Sequence, residues 1–405
     1  MRFPRGSYGL VILSVWVHLV GGLVRPTHAA VTWGGFIAAE GRFFTQAAVL
    51  PEQRDYDFSL VVQPELSYAW ANERDRLTFV PFARLDQQDS HRTHGDIREL
   101  YWLHTGEQWK LRFGIAKVFW GVTESQHLVD IINQTDLVEN IDGEDKLGQP
   151  MVNLTLLRSW GTLDLFVLPG FRERTFPGKH GRLRTIPRVD PDQALFTSRL
   201  GRAHVDAAIR WAHRFGDWDV GLAHFYGTSR EPLLLPGMAG TRQPVLVPRY
   251  DVVNQTSLDL QWTTGSWLWK LEAMTRSGQG DRFAALTTGC EYTFGNVLAS
   301  GATLGVLAEY LYDSRGRAFP PFFADHIFLG LRLALNDVQS TEALIGTITA
   351  RRSGATLFSI EASRRMGEHW KLSLEVRVLA HVPASDPVFS IRRDDYVQLE
   401  LARYF

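Results

Sequence analysis

Most of this chain consists of segments in which apolar and polar residues alternate, and this period constrains the fold more than any other feature. From Trp370 to Val378, tryptophan, leucine and valine take every second position, and charged or hydroxyl side chains lie between them. Successive side chains of a β-strand point to opposite faces, whereas a helix repeats every 3.6 residues. The pattern therefore predicts strands with one apolar and one polar face.

Scoring each alternating run as a strand predicts an all-β chain of about 18 strands, with 16 as the alternative if the pair at 341–364 or the first strand is miscounted. A closed antiparallel up-and-down barrel accommodates such a series without leaving an edge strand unpaired. The predicted strands lie near residues 33–46, 57–70, 76–87, 96–104, 109–119, 151–158, 162–170, 203–214, 218–227, 251–263, 267–277, 281–294, 302–313, 325–336, 341–351, 355–364, 369–380 and 395–405.

The lengths of the connections alternate as well. Every second connection is short, and every long one falls on the other side, near residues 120–150, 171–202, 228–250, 314–324 and 381–394. Short periplasmic turns and long external loops are typical of barrels that span an outer membrane. Seven of the 13 tryptophans flank the short turns, which predicts an aromatic girdle at that membrane interface.

The N-terminal segment has the features of a cleavable export signal. Arg2 and Arg5 precede a largely apolar stretch from Leu10 to Val24, and small residues before Ala30 predict cleavage after Ala29. We therefore expect a signal peptide at 1–29 and a single barrel domain at 30–405. Without the signal peptide, the chain has 40 basic and 44 acidic residues, a balance that does not suggest binding to nucleic acid.

The last predicted strand ends on an aromatic residue, Phe405. With the export signal and the barrel pattern, it makes the chain resemble bacterial outer-membrane porins and porin-like channels of 16 to 18 strands. The stretch from Phe119-Trp120-Gly121 to Asn133 is similar to uncharacterised porin-like proteins. Arg403 departs from the family pattern, since the third residue from the end is usually apolar or aromatic there.

The resemblance implies a Gram-negative outer-membrane channel for passive diffusion of small polar solutes, without a cofactor. It also implies that the barrel-assembly machinery reads Phe405, that lipid and lipopolysaccharide surround the barrel, and that a homo-oligomer is possible. In porins, an inward-folded acidic loop faces a basic cluster on the wall and narrows the pore. The alternative for both loops is a solvated outer surface, with the basic loop touching lipopolysaccharide phosphates.

Two neighbouring long connections have opposite charge. The candidate constriction residues in the connection at 121–150 are Glu124, Asp130, Asp136, Asp142, Glu144 and Asp145. Apolar pairs in the same connection, such as Ile131-Ile132, favour a packed loop over a flexible external one. The candidate basic cluster in the next long connection is Arg172, Arg174, Arg182 and Arg184.

The alternation also assigns charged side chains to the lumen face. The predicted lumen-facing residues are Lys110, Arg112, Arg210, Lys270, Glu272, Glu309, Arg332, Glu375 and Arg377. Both signs are mixed, so cross-strand ion pairs account for most of these charges, and ion selectivity should be weak.

Three other functions stay open at this stage. The run from Asn140 to Asp145 places oxygen ligands around a glycine, which suggests calcium, but it lacks the spacing of an EF-hand. Outer-membrane enzymes of the lipase or protease type need a converging nucleophile, acid or base, and the histidine candidates are His91, His94, His204, His213 and His224. A structural or adhesion barrel would bind a partner through its outer loops.

Overall fold

The computed structural model describes residues 29–240, 242–315 and 323–405. The predicted signal peptide lies almost entirely outside these residues. Among the described residues, no helix has the length and apolar character that a membrane crossing needs. Only three short 3-10 helices occur in this part of the chain, at Pro191–Gln193, Gly201–Ala203 and Pro387–Ile391.

The described residues form 21 strands, of which 18 make one antiparallel sheet. They are β1 (Ala30–Phe44), β2 (Tyr56–Trp70), β3 (Asp75–Asp86), β4 (His94–Thr105), β5 (Trp109–Ala116), β6 (Gln149–Arg158), β7 (Gly161–Pro169), β8 (Leu195–Phe196), β9 (Val205–Phe215), β10 (Trp218–Thr228), β11 (Leu233–Ala239), β12 (Gln243–Tyr250), β13 (Val252–Thr264), β14 (Trp267–Ser277), β15 (Phe283–Val297), β16 (Ala302–Asp313), β17 (Asp325–Ala334), β18 (Glu342–Ala350), β19 (Thr356–Met366), β20 (Trp370–Ala380) and β21 (Tyr396–Tyr404).

The first and last strands close the sheet into a barrel. β1 pairs antiparallel with β21, with Phe36 opposite Tyr404 and Phe44 opposite Tyr396. Each other barrel strand pairs with the barrel strands before and after it in the chain. The predicted all-β fold with 18 strands is therefore confirmed, and all 18 predicted strands correspond to barrel strands.

The alternation along each strand separates an apolar outer face from a polar lumen face. In β1, Trp33, Ile37 and Phe43 are exposed on the outside, while Glu40 and Arg42 are buried inside the barrel. An exposed apolar belt of this kind is expected where lipid is the solvent. At the end with the short turns, the belt carries aromatic rings that include the stacked pair Trp218 and Trp262.

A second, three-stranded sheet at the long-loop end was not predicted. It has the order β11-β12-β8 and lies within the connections at 171–202 and 228–250. Pro236, Pro244 and Pro248 argue against strands in a single sequence because proline removes a ladder donor. Pairing across the β11–β12 hairpin, with a parallel contact to β8, overrides that local signal.

Candidate functional site

The connection between β5 and β6, residues 117–148, crosses the inside of the barrel, and we call it the crossing loop. β5 is the fifth strand of the ring, and β17 is the fourteenth, so the two lie on opposite sides of an 18-stranded barrel. The crossing loop nevertheless contacts β17, because Arg332 pairs with Glu124. A loop that folded outward from the ends of β5 and β6 could not reach β17 on the opposite side of the barrel.

Two buried carboxylates hold the loop at the far wall. Glu272 on β14 accepts hydrogen bonds from the backbone N–H of Val122 at 2.7 Å and of Val129 at 3.1 Å. Thr123 adds bonds from its N–H at 3.0 Å and its hydroxyl at 2.8 Å. Glu272 is 0% exposed, so its charge is neutralised by these donors rather than by water.

Glu309 on β16 plays the same role one step along the wall. It accepts from the N–H groups of Glu124 and Ser125, both at 2.8 Å. The hydroxyl of Ser125 donates to it as well. Lys270, also predicted to face the lumen, lies 3.9 Å from both Glu124 and Glu291.

Apolar residues of the crossing loop pack against the inner wall. Val129, Ile131 and Ile132 are almost fully buried, and they form one cluster with Trp120 and inward-facing residues of β6, β7, β9, β10 and β13. Burying such a side chain contributes about 1.5–3 kcal/mol. Asn133 adds hydrogen bonds to Ala116 and Leu147, at the two ends of the loop. The base of the loop is therefore fixed by both apolar and polar contacts.

The middle of the crossing loop meets arginines of β3 and β4. Glu139 accepts from Arg84 through both carboxylate oxygens, at 2.6–3.0 Å. Asp136 lies 2.6 Å from Arg98 and accepts from the hydroxyl of Thr175. A hydrogen bond from His94, the charge of Arg98 and a hydrogen bond from Thr175 hold the pKa of Asp136 at about 2 despite its burial, so this carboxylate stays ionised at physiological pH.

Arg98 points inward because of a β-bulge. In the β3–β4 ladder, Val80 pairs with Glu99 and Pro81 pairs with Ile97, so Arg98 is the extra residue. Bulges re-aim side chains and bend the strand that carries them. Here the bulge directs the Arg98 guanidinium to Asp136 and over the ring of Phe82, 4.2 Å from its centroid.

Two further carboxylates of the crossing loop, Asp142 and Asp145, have less stabilisation of their negative charge from neighbouring cations and hydrogen bonds. Burial raises the pKa of Asp142 to about 7, and the neighbouring Glu375 and Asp145 add to the effect. The guanidinium of Arg377 lies 3.3 Å from Asp142, and its positive charge opposes this rise in pKa. Burial, Glu139 and Asp136 raise the pKa of Asp145 to about 6. Both carboxylates therefore titrate close to neutral pH.

The remaining residues of the predicted acidic set make local contacts. Asp130 lies 3.2 Å from Lys146, and burial raises its pKa. Glu144 lies 3.9 Å from His127, which lowers the pKa of Glu144. The carboxylates of Glu144 and Glu272 outweigh burial at His127 and raise its pKa to about 9.

The predicted basic cluster does not pair with the acidic residues of the crossing loop. Arg172 binds Asp96 on β4 at 2.7 Å, and Arg174 donates to the backbone carbonyl of Arg230 at 2.8 Å. Arg182 binds Asp394 at 2.7 Å and Asp55 at 3.0 Å, whereas Arg184 lies 3.4 Å from Glu52. These partners belong to the wall and to other connections between the barrel strands.

Most of the predicted lumen-facing charges have partners inside the barrel. Arg210 pairs with Asp259, and Arg377 pairs with Glu361, Glu375 and Asp142. Arg112 stacks over the ring of Tyr101, with its guanidinium carbon 5.1 Å from the centroid. Lys110 is exposed near the short-turn end, on the same strand face as Arg112.

The sequence reasoning missed the charged network of β1 and the β3–β4 connection. Arg92 binds Glu40 at 2.7 Å and Asp86 at 2.9 Å, and Arg84 also binds Glu40. Alternation puts Glu40 on the lumen face. Arg92, however, lies in a turn, where no period predicts the direction of a side chain.

The metal and enzyme hypotheses find little geometric support among the described residues. Asp142, in the candidate calcium turn, is engaged by Arg377 and by the N–H of Glu144. His94, Asp136 and Glu139 are close enough to hold a metal ion, but Arg84 and Arg98 bind those carboxylates.

The histidines considered as candidate catalytic residues are dispersed over the barrel. His213 packs on Phe215 of the outer girdle, and His224 bonds Thr256 on the outer face.

The C-terminal residue also lies on the outer face. The ring of Phe405 packs against Trp33 of the first strand, with 5.5 Å between centroids, and its N–H bonds Gly35. Arg403, which departs from the family pattern, also faces outward. Its guanidinium carbon lies 5.9 Å from the ring centroid of Trp370.

Comparison with known proteins supports the fold. No protein-family model matches the chain, and no curated protein matches its sequence. A BenF-like porin from Pseudomonas fluorescens superposes with a TM-score of 0.54 at 9% identity, over 94% of this chain and 98% of that one. OccK3 (OpdO) of Pseudomonas aeruginosa gives 0.51 at 9% identity, over 92% and 95%. The protein is thus similar in fold to porins: it is a porin-like transmembrane β-barrel.

Proposed function

We propose that this protein is an outer-membrane channel through which small polar solutes diffuse, and that it is not an enzyme. The observation that carries the proposal is the crossing loop, which spans a charged lumen and is bonded to the opposite wall through Glu272, Glu309 and Arg332. A folded segment inside a polar lumen narrows it without requiring a moving part.

The charges support passage of polar rather than apolar solutes. Carboxylates of the loop and arginines of the wall face each other across short distances, as in the pairs of Glu139 with Arg84 and Asp136 with Arg98. Such fixed charges orient water and make the passage unfavourable for a solute that cannot hydrogen-bond. Because both signs are present, we propose weak ion selectivity, set by Asp142 and Asp145.

The proposal is tested by conductance in a planar bilayer. The purified mature chain should produce discrete current steps, and vesicles that contain it should swell in solutions of small sugars but not of large ones. A folded barrel, identified by anomalous migration before boiling, that gives neither current steps nor swelling would contradict the channel. That result would favour an adhesion barrel with a filled lumen.

A further inference from the structure

A cavity of about 180 Å³ lies under the crossing loop, between residues 139–146 and the lumen face of β1, β2, β3 and β21. It has room for about six water molecules at about 30 Å³ each. A small organic molecule of five or six non-hydrogen atoms would occupy a similar space. Its lining contains both apolar and charged side chains, which gives it a defined chemical preference.

One part of the lining is apolar. Phe36, Val61 and Phe82 line the cavity, and they belong to one packed cluster with Ala38 and Ala402. Charged residues of the same strands, among them Glu40 and Arg84, line the cavity beside them. The apolar side chains offer a surface against which a short hydrocarbon chain can be removed from water.

The lining has four acidic and four basic side chains, and they differ in whether an ion pair already engages them. Arg84 is bound by Glu40 and Glu139, Arg98 by Asp136, and Lys146 by Asp130. Among the described residues, the carboxylates of Asp145 and Glu400 form no ion pair, and Lys117 forms none either. Two carboxylates therefore face the cavity against one free ammonium group.

The strand register explains why Glu400 has no basic partner. It lies directly opposite Glu40 in the β1–β21 ladder, and like charges in this position destabilise a sheet. Arg84 and Arg92 are already committed to Glu40. The carboxylate of Glu400 therefore forms no ion pair with either arginine, and the positive charges of Arg84 and Lys371 act on it only from a greater distance.

We propose that this cavity is a binding site for small solutes that carry a protonated amine on a short apolar chain. The ammonium group would bind between Asp145 and Glu400, and the hydrocarbon would lie on Phe36, Val61 and Phe82. A charged donor on a carboxylate acceptor forms the stronger class of hydrogen bond. The inference rests on the proposed channel function, since it names the solute class that the lumen holds best.

The test compares three ligands of equal length: n-butylamine, 1-butanol and butanoate. Each is added to the full mature chain in bilayers, where blocking of the current is measured, and to the same chain in detergent micelles, where binding is measured by calorimetry at pH 8. Butylamine should block and bind, and the alcohol and the acid should do so at least tenfold more weakly. Partition into the micelle cancels between variants, because all share one detergent.

The variants are Asp145→Asn and Glu400→Gln, which keep side-chain size and remove the charge. Together they should weaken butylamine binding at least tenfold. The matched control is Glu65→Gln, a lumen carboxylate on β2 that does not line the cavity, and it should leave binding unchanged. Anomalous gel migration shows that each variant is folded.

The outcomes separate the two proposals. Calorimetric binding of butylamine without any current in bilayers would contradict the channel and leave the amine site standing. Current with equal binding of butylamine and butanol, or with binding unaffected in the double variant, would overturn the amine site and leave the channel standing.

Discussion

Glu272 is the residue that most firmly joins the crossing loop to the wall. Its carboxylate has no access to solvent, and all four of its hydrogen bonds come from residues 122–129. A buried charge is tolerated only when donors surround it, and removal of the acceptor leaves those donors unsatisfied. The loop and the wall therefore depend on each other at this one position.

We predict that Glu272→Ala loosens the crossing loop and increases single-channel conductance. Leaving buried N–H groups unpaired costs about 1–3 kcal/mol each, which should favour conformations in which the segment at 122–129 leaves the wall. Planar-bilayer recording measures the step size, and limited proteolysis reports exposure of the loop. Asp219→Ala, at an exposed lumen position near the short-turn end, serves as control. Equal conductance of wild type and Glu272→Ala would show that the loop does not limit the current.

Asp142 and Asp145 predict a pH dependence for the proposed channel. Their pKa values are raised to about 7 and about 6, so both are mostly ionised at pH 8 and mostly protonated at pH 5. Loss of two fixed negative charges lowers the local cation concentration. Cation preference, measured as a reversal potential under a salt gradient, should decline as the pH falls from 8 to 5. The double variant Asp142→Asn with Asp145→Asn should abolish most of that change, and a profile like that of wild type would contradict it.

At the scale of elements, Gly121 determines how the crossing loop approaches the wall. Its φ is +149°, and a Cβ atom there would lie 3.0 Å from Glu272 and from His127. We predict that Gly121→Ala displaces the loop from Glu272 and increases conductance in the same direction as Glu272→Ala. Gly143→Ala is the matched control, because its φ is also positive but no atom lies within 4 Å. If both glycine variants behave alike, backbone strain rather than contact with the wall is responsible.

The acidic connection at 121–150 and the basic connection at 171–202 should have opposite effects on the preference for cations over anions. Replacing Asp136, Asp142 and Asp145 together by asparagine should shift preference toward anions, and Arg172→Gln with Arg174→Gln should shift it toward cations. Arg182→Gln should have little effect, because this arginine is bound to Asp394 and Asp55 of other connections, whereas Arg172 is bound to Asp96 on the barrel wall. Both shifts should shrink in 1 M salt, where the screening length is about 3 Å. An unchanged reversal potential in both sets would mean that these charges lie off the conduction path.

At the scale of the whole molecule, side chains along each strand point alternately to the lipid and to the lumen, so adjacent residues should differ in how well they tolerate a charge. Val62 on β2 faces outward and Gln63 faces the lumen. An arginine on the lipid face near the bilayer centre costs about 2–4 kcal/mol. We predict this loss for Val62→Arg and a much smaller one for Gln63→Arg, measured by urea unfolding in lipid vesicles. Equal losses would mean that the two faces are exchanged or that β2 does not cross the membrane.

The sequence alone determined the β-class, the strand count and the two faces of the wall. These follow from local patterns, since a period of two fixes the side of each residue and short turns join neighbours. The apolar residues Ile131 and Ile132 also predicted that the connection at 121–150 is packed. No local pattern predicted the strands of the small sheet, because its prolines favour irregular structure.

Only the tertiary structure decided which charges meet. The crossing loop forms ion pairs with Arg84, Arg98 and Arg332, which lie on three different strands, and the arginines of the predicted basic cluster pair with other residues. No period encodes such pairs, because they depend on closure of the barrel and, at Arg98, also on a β-bulge. The positions of the charged residues could therefore be predicted from the sequence, but their ion-pair partners follow from the arrangement of the 18 strands around the barrel.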